Sequence, residues 1–258
     1  MACRLHRRPD MDATEFDRLV TRAQDPRLIL GIYNYCDGRC PRCPFTTRCL
    51  TFLDNQELQA AGGDERSLAD TLGDSLQLTL EMLAEAARRE GVDVKTLALD
   101  ADRADVEDDL ERHRRDPLVV LAREYGHLGW RIARAIAPIA AARADEPLVD
   151  AVGTIEWFSS MISAKLHRAI CGQAAGGDEP DEVQTDFNGS AKVALAGIGE
   201  SRRAWGVLME AGRATANGVP ARAVRILEEL DTAVRARFPL APAFVRPGFD
   251  GPDVPEDR

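Results

Sequence analysis

Seven large apolar residues, Leu148, Val152, Ile155, Phe158, Ile162, Leu166 and Ile170, recur at intervals of three and four. That interval is the period of an α-helix, so one stripe of this segment must face a core. The stripe predicts a helix from Leu148 to Cys171, stopped by Gly172. A helix so one-sided needs partners, and the chain supplies them. Pro117 opens a stretch to about Ala142 in which Leu118, Leu121, Tyr125, Leu128, Ile132, Ile136 and Ile139 keep one register, with Pro138 expected to kink or end it. Ser190 to Glu210 places Ala191, Ala194, Leu195, Ile198, Trp205 and Met209 together. Its start depends on whether Asn188-Gly189 is a turn capped by Ser190 or lies inside a longer helix. Pro220 stands at the first position of a last helix bearing Val224, Leu227, Leu230, Val234 and Phe238.

The front of the chain is less regular. Asp12 to Gln24 reads as a short amphipathic helix with Phe16, Leu19 and Val20 on one face, ended by Asp25-Pro26. Arg27 to Tyr35 is the one strand-like run. Ser67 to Glu90 carries Leu68, Leu72, Leu76, Leu80, Leu83 and Ala86 at helical spacing and closes at Gly91. Val94 to Arg115 is dominated by acidic residues and reads as a connecting helix or solvated segment. Together these describe a mainly α protein, an up-down helical bundle with a small N-terminal metal-binding segment that bears cysteines. The expected divisions are residues 1–60 for that segment, 64–239 for the bundle and 240–258 for a flexible tail.

Four of the six cysteines, Cys36, Cys40, Cys43 and Cys49, fall within fourteen residues, spaced C-x3-C-x2-C-x5-C. The N-terminus has no apolar signal region, and Ala135 to Ala142, the most apolar run, is too short to span a membrane. These features predict a cytoplasmic protein, where crowded thiols read as metal ligands before disulfides. Thiolate suits zinc or an iron–sulfur cluster. Structural zinc usually takes two well-separated knuckles. Four thiols on one tight loop, stiffened by Pro41 and Pro44, fit a [4Fe-4S] cluster better, with Zn2+ as the alternative. Cys3 and Cys171 stand apart and read as incidental. With net charge -10 the chain lacks the basic surface that nucleic acid or an anionic membrane requires, and neither is an expected partner. A cluster would imply an unknown protein or redox partner. Of 33 basic residues only Lys95, Lys165 and Lys192 are lysines.

The portion CPRCPFTTRC, from Cys40 to Cys49, resembles the iron–sulfur loop of helix-hairpin-helix DNA glycosylases. That resemblance covers ten residues and implies a cluster, not DNA chemistry. Cys36-x3-Cys40-x2-Cys43 after an apolar run is also similar to the radical SAM signature, which would require alternating strands and helices downstream. The phrase with NYCD, CxxC and FTxRC, together with DFNGSAKVAL at Asp186 to Leu195, resembles an uncharacterised bacterial protein family. It implies that the four cysteines act as one site and brings no activity with it.

Two features of the bundle invite chemistry. Glu124-x-x-His127 is one half of a di-iron motif, but the register places both residues off the apolar stripe, as a solvated or rim pair. Glu156, Ser160, Ser163 and His167 recur along one side of their helix. Arg202 falls on what should be an inward face, with Glu156 as the expected partner. Glu156, His167 and Arg202 therefore form a candidate bundle pocket, in which His167 would serve as proton donor or ligand. Three functions follow: a four-thiolate protein in electron transfer or redox or iron sensing, a zinc-stapled interaction protein that catalyses nothing, or an enzyme with a pocket in the bundle.

Overall fold

The structure, a computed structural model, describes residues 12–60, 68–93, 109, 111–176, 181–212 and 218–250, with the side chains of residues 68–72 excepted. Cys3, His6 and most of the acidic stretch from Val94 to Arg115 lie outside the described residues. The fold is mainly α, and all regular structure among the described residues is helical. No helix among them is long and apolar enough to cross a membrane. The chain divides into two units, one of residues 1–33 and 39–105, the other of residues 34–38 and 106–258.

The first unit holds α1 (Ala13–Ala23), α2 (Leu50–Ala60) and α3 (Leu68–Glu90). Asp12 caps α1, its carboxylate accepting the N–H of Glu15 at 2.8 Å. Arg22 of α1 makes a two-pronged pair with Glu57 of α2, at 2.8 and 2.7 Å. Arg89 of α3 reaches Asp17 at 2.6 Å and lies over the Phe16 ring. Exposed pairs of this kind are screened by solvent and contribute little to stability. Among the described residues the unit buries only Ile29, Ile32 and Phe45 as apolar side chains. Leu76, Leu80 and Leu83 of the expected α3 stripe are exposed, because α3 meets α1 through the side that carries Arg89. That contact places α3 in this unit and not, as expected, with the bundle.

The strand expected at Arg27 to Tyr35 does not form. Leu28 N–H turns back to Asp25 O at 2.9 Å, and Gly31 takes a positive φ of 73°. The run is consumed by turns that bury Ile29 and Ile32 and leave Leu30 exposed.

In the second unit α4 (Pro117–Ala142), α5 (Glu146–Ala175), α6 (Asp186–Glu210) and α7 (Val219–Arg237) form a ring of packed helices, α4 on α5, α5 on α6, α6 on α7 and α7 on α4. Caps fix the starts. Asp116 and Asp145 accept the N–H groups of Leu118 and Leu148, each before a proline that suits a first turn. All seven residues of the α5 stripe are buried, none more than 3% exposed. The helix runs through Gly172, which packs on Phe187, and ends at Gly176 with φ 61°. Thr185 caps α6, so Asn188-Gly189 lies inside a longer helix.

The inward face of α4 differs from its aliphatic stripe. Ile139 is 45% exposed, and Leu121, Leu128 and Ile132 are only partly covered. The contact is centred on Ala122, Gly126, Gly129 and Ala133. A Cβ at Gly126 would lie 2.2 Å from the Ser159 carbonyl oxygen, and one at Gly129 2.5 Å from Ser159 Oγ. The helices meet main chain to main chain, which forms a seam of small residues. The α4 helix continues through Pro138. In the core the Tyr125 hydroxyl, Ser201 Oγ and Trp205 Nε1 are buried without a hydrogen-bond partner. Burial pushes the Tyr125 phenol up, against the opposing pull of Ser201 and Trp205 beside it.

The tail expected from 240 onward is not loose over its described part. Ala241 and Phe244 are buried, and Lys192 of α6 donates to the carbonyls of Pro242 and Phe244 and pairs with Asp250 at 2.8 Å. Arg246 holds the same carboxylate at 2.9 Å. Residues 251–258 lie outside the described residues.

Candidate metal centre

Cys40, Cys43 and Cys49 belong to the N-terminal unit and Cys36 to the helical one. None of the four is in a disulfide. Pro41 sits in a single 3-10 turn, Cys40–Arg42, which closes when Cys43 N–H donates to Cys40 O at 3.0 Å. A second turn, Thr46–Arg48, closes on Cys49 in the same way, at 3.3 Å. Between them the Phe45 N–H donates to Cys43 Sγ at 3.4 Å. The donor chemistry, reduced thiols on turns with an amide directed at sulfur, fits a thiophilic metal. Among the described residues no three Cys, His, Asp or Glu side chains are gathered into a metal site.

Cys36 lies on a strap, Asn34–Gly38, held against α5 and α6. Lys165 donates its ammonium to Asn34 O at 2.7 Å, and Trp157 Nε1 donates to Asp37 O at 2.7 Å. Gly38, at φ 71°, turns the chain so closely over the Trp157 ring that a Cβ would stand 3.0 Å from it. The Tyr35 hydroxyl donates to Asp186 at 3.0 Å, and Arg168 takes the other oxygen at 2.9 Å. The Tyr35 ring fills the space left by Gly189, beside Phe244 at 4.7 Å between centroids. Asn188 donates to the carbonyls of Glu182 and Val183 in the preceding loop. The two sequence phrases NYCD and DFNG are thus joined in one contact, Tyr35 to Asp186, across 151 residues. Burial and the neighbouring Arg168 push the Lys165 ammonium down, while Cys36 and Asp186 push it back up.

Tyr35, Trp157, Lys165, Arg168 and Asp186 were invisible as a set in the sequence. The one available signal was the rarity of lysine, since Lys165 and Lys192 both use a compact ammonium to hold main-chain carbonyls.

The expected bundle pocket is divided. Glu156, Ser160 and Ser163 line a cavity of about 590 Å3, while Ser163 and His167 line another of about 590 Å3. Arg202 reaches neither. It pairs with Glu228 of α7 at 3.3 Å on the surface, because Ser201, about 100° around the helix, takes the inward position. The ion pair expected with Glu156 is therefore not formed. Glu124 is exposed and paired with Arg222 at 2.6 Å, and His127 is exposed, as a rim pair should be. Cys171, incidental in the sequence, has its sulfur 3.5 Å from His113 Nδ1 and 3.8 Å from His167. Burial pushes that thiol up, so it stays protonated.

No protein-family model, curated protein or solved structure matches the chain.

Proposed function

We propose that Cys36, Cys40, Cys43 and Cys49 bind one thiophilic metal centre, a [4Fe-4S] cluster before zinc, and that the protein serves in electron transfer or in redox or iron sensing. The observation that carries this is the crowding of four reduced thiols into fourteen residues, with a main-chain amide already directed at Cys43 Sγ. The scant apolar burial of the N-terminal unit supports it. Small units with little core are commonly held by a metal, and ligand binding there is coupled to local folding. The centre, when bound, would supply one-electron chemistry. This chain's residues would do the rest. Cys36, Cys40, Cys43 and Cys49 would hold it as thiolates, the Phe45 amide would steady one sulfur, and Lys165 would place positive charge near Cys36.

The test is elemental analysis of protein purified without oxygen, for the natural chain and for Cys40→Ser. Iron with matching sulfide and a brown visible absorption are expected in the first, and loss of the metal with a destabilised N-terminal segment in the second. A colourless protein with one zinc per chain would replace the cluster by zinc. Full metal content and unchanged melting in Cys40→Ser would refute both.

A further inference from the structure

The close seam between α4 and α5 leaves a trough along its side. At one end Trp130 of α4 and Trp157 of α5 stand about half exposed, at 49% and 41%. The orientation of Trp157 is fixed by its bond to Asp37 O, and Arg134 lies over the ring of Trp130 at 5.2 Å. Gly153 lines the same trough. Unlike Gly126 and Gly129, it has no packing reason to lack a side chain, since a Cβ there would meet nothing within 4 Å. A glycine in mid-helix is unfavourable, and here its effect is to keep the trough open.

Arg123 and Ser163 line this cavity and the neighbouring one, and so mark a common border. The neighbour is basic, with Arg114, Arg115 and His167 in its wall. Arg114 and Arg115 already engage Glu111, at 3.7 and 3.1 Å. Arg123 has no ion pair among the described residues, and neither has Glu156 at the tryptophan end. Ser160 and Ser163 donate to helix carbonyls, which leaves their oxygens as acceptors.

We propose that this trough is a binding site for a planar aromatic ring that carries an amine and an anionic group, phosphate or carboxylate. The ring lies by the tryptophans, its amine faces Glu156 and the serine oxygens, and the anion meets Arg123. Stacking, an acceptor and a guanidinium are the three recognition elements such a ligand needs. The site is independent of the cysteines.

Titration of the full chain, followed by tryptophan fluorescence and calorimetry, tests this with four probes. Adenosine monophosphate and anthranilate combine ring, amine and anion, and so separate the phosphate and carboxylate sources. Adenosine lacks the anion and inorganic phosphate lacks the ring. At least one combined probe is expected to bind, and adenosine and inorganic phosphate each about tenfold more weakly than it or worse. Arg123→Gln should weaken the combined probe about tenfold. Gly153→Leu should abolish binding while the melting temperature is kept or raised, since a Cβ there meets no atom within 4 Å and the position lines the trough. Failure of both combined probes, equal binding of adenosine, or unchanged binding in Gly153→Leu would each overturn the proposal.

Discussion

Gly126→Ala and Gly153→Ala make the same chemical change on two adjacent helices, and the structure assigns them opposite signs. The new methyl at Gly126 would stand 2.2 Å from the Ser159 carbonyl oxygen. That is about 1 Å short of van der Waals contact, against main chain that cannot rotate away. The helices must part along the seam that also includes Gly129, an overpacking cost of about 3 kcal/mol, the upper part of the usual range. Replacing glycine by alanine in a helix returns about 1 kcal/mol, so the net loss is about 2 kcal/mol. At Gly153 no atom is met, and only the gain of about 1 kcal/mol remains. For a chain of this size the melting temperature should fall by about 4–8 °C in the first variant and rise by about 2–4 °C in the second. Far-UV circular dichroism, with the emission of buried Trp205 as a second probe, measures both. If Gly126→Ala melts at or above the natural chain, the main-chain contact between α4 and α5 is refuted.

Tyr125→Phe removes a buried hydroxyl that has no hydrogen-bond partner, and should raise stability by about 1 kcal/mol in urea unfolding; a loss would reveal a bond to Ser201 or Trp205. Burial pushes the Asp250 carboxyl up, but Arg246 and Lys192 outweigh it and hold it well below the usual range. A carboxyl depressed on folding stabilises above its unfolded pKa, and that contribution fades as pH falls below about 4. Asp250→Asn should therefore loosen residues 241–250 to proteolysis at pH 7, and the difference from the natural chain should shrink with acid; a gap that widens in acid would contradict the clamp.

The bundle was legible where large residues carried the pattern. Leu148 to Ile170 is legible because branched and aromatic side chains at helical spacing have one use, to face a core. The inward face of α4 is hidden for the complementary reason. Ala122, Gly126, Gly129 and Ala133 weigh little on any hydrophobic scale, yet small residues are what let two backbones touch. A stripe through Ile198 and Trp205 alone puts Arg202 inward, whereas Ser201 and Ala204 complete the buried face. The stretch after Pro239 had no periodicity to show that Phe244 would pack beside Tyr35. Of the candidate site, the sequence shows the four cysteines and their spacing. The strap was hidden, because its partners lie more than a hundred residues away and act through main-chain carbonyls that have no sequence signature.

Where nearly every cation is an arginine, amine-directed chemistry has few targets, and Lys165 and Lys192 each hold a non-helical segment in place. Acetylation at either position would cancel the charge and block that grip, and would leave the helices' own hydrogen bonds untouched. A mild acylating reagent would thus act as a selective release for the strap or for the C-terminal stretch, with each detachment reported by the mass of a single modified residue.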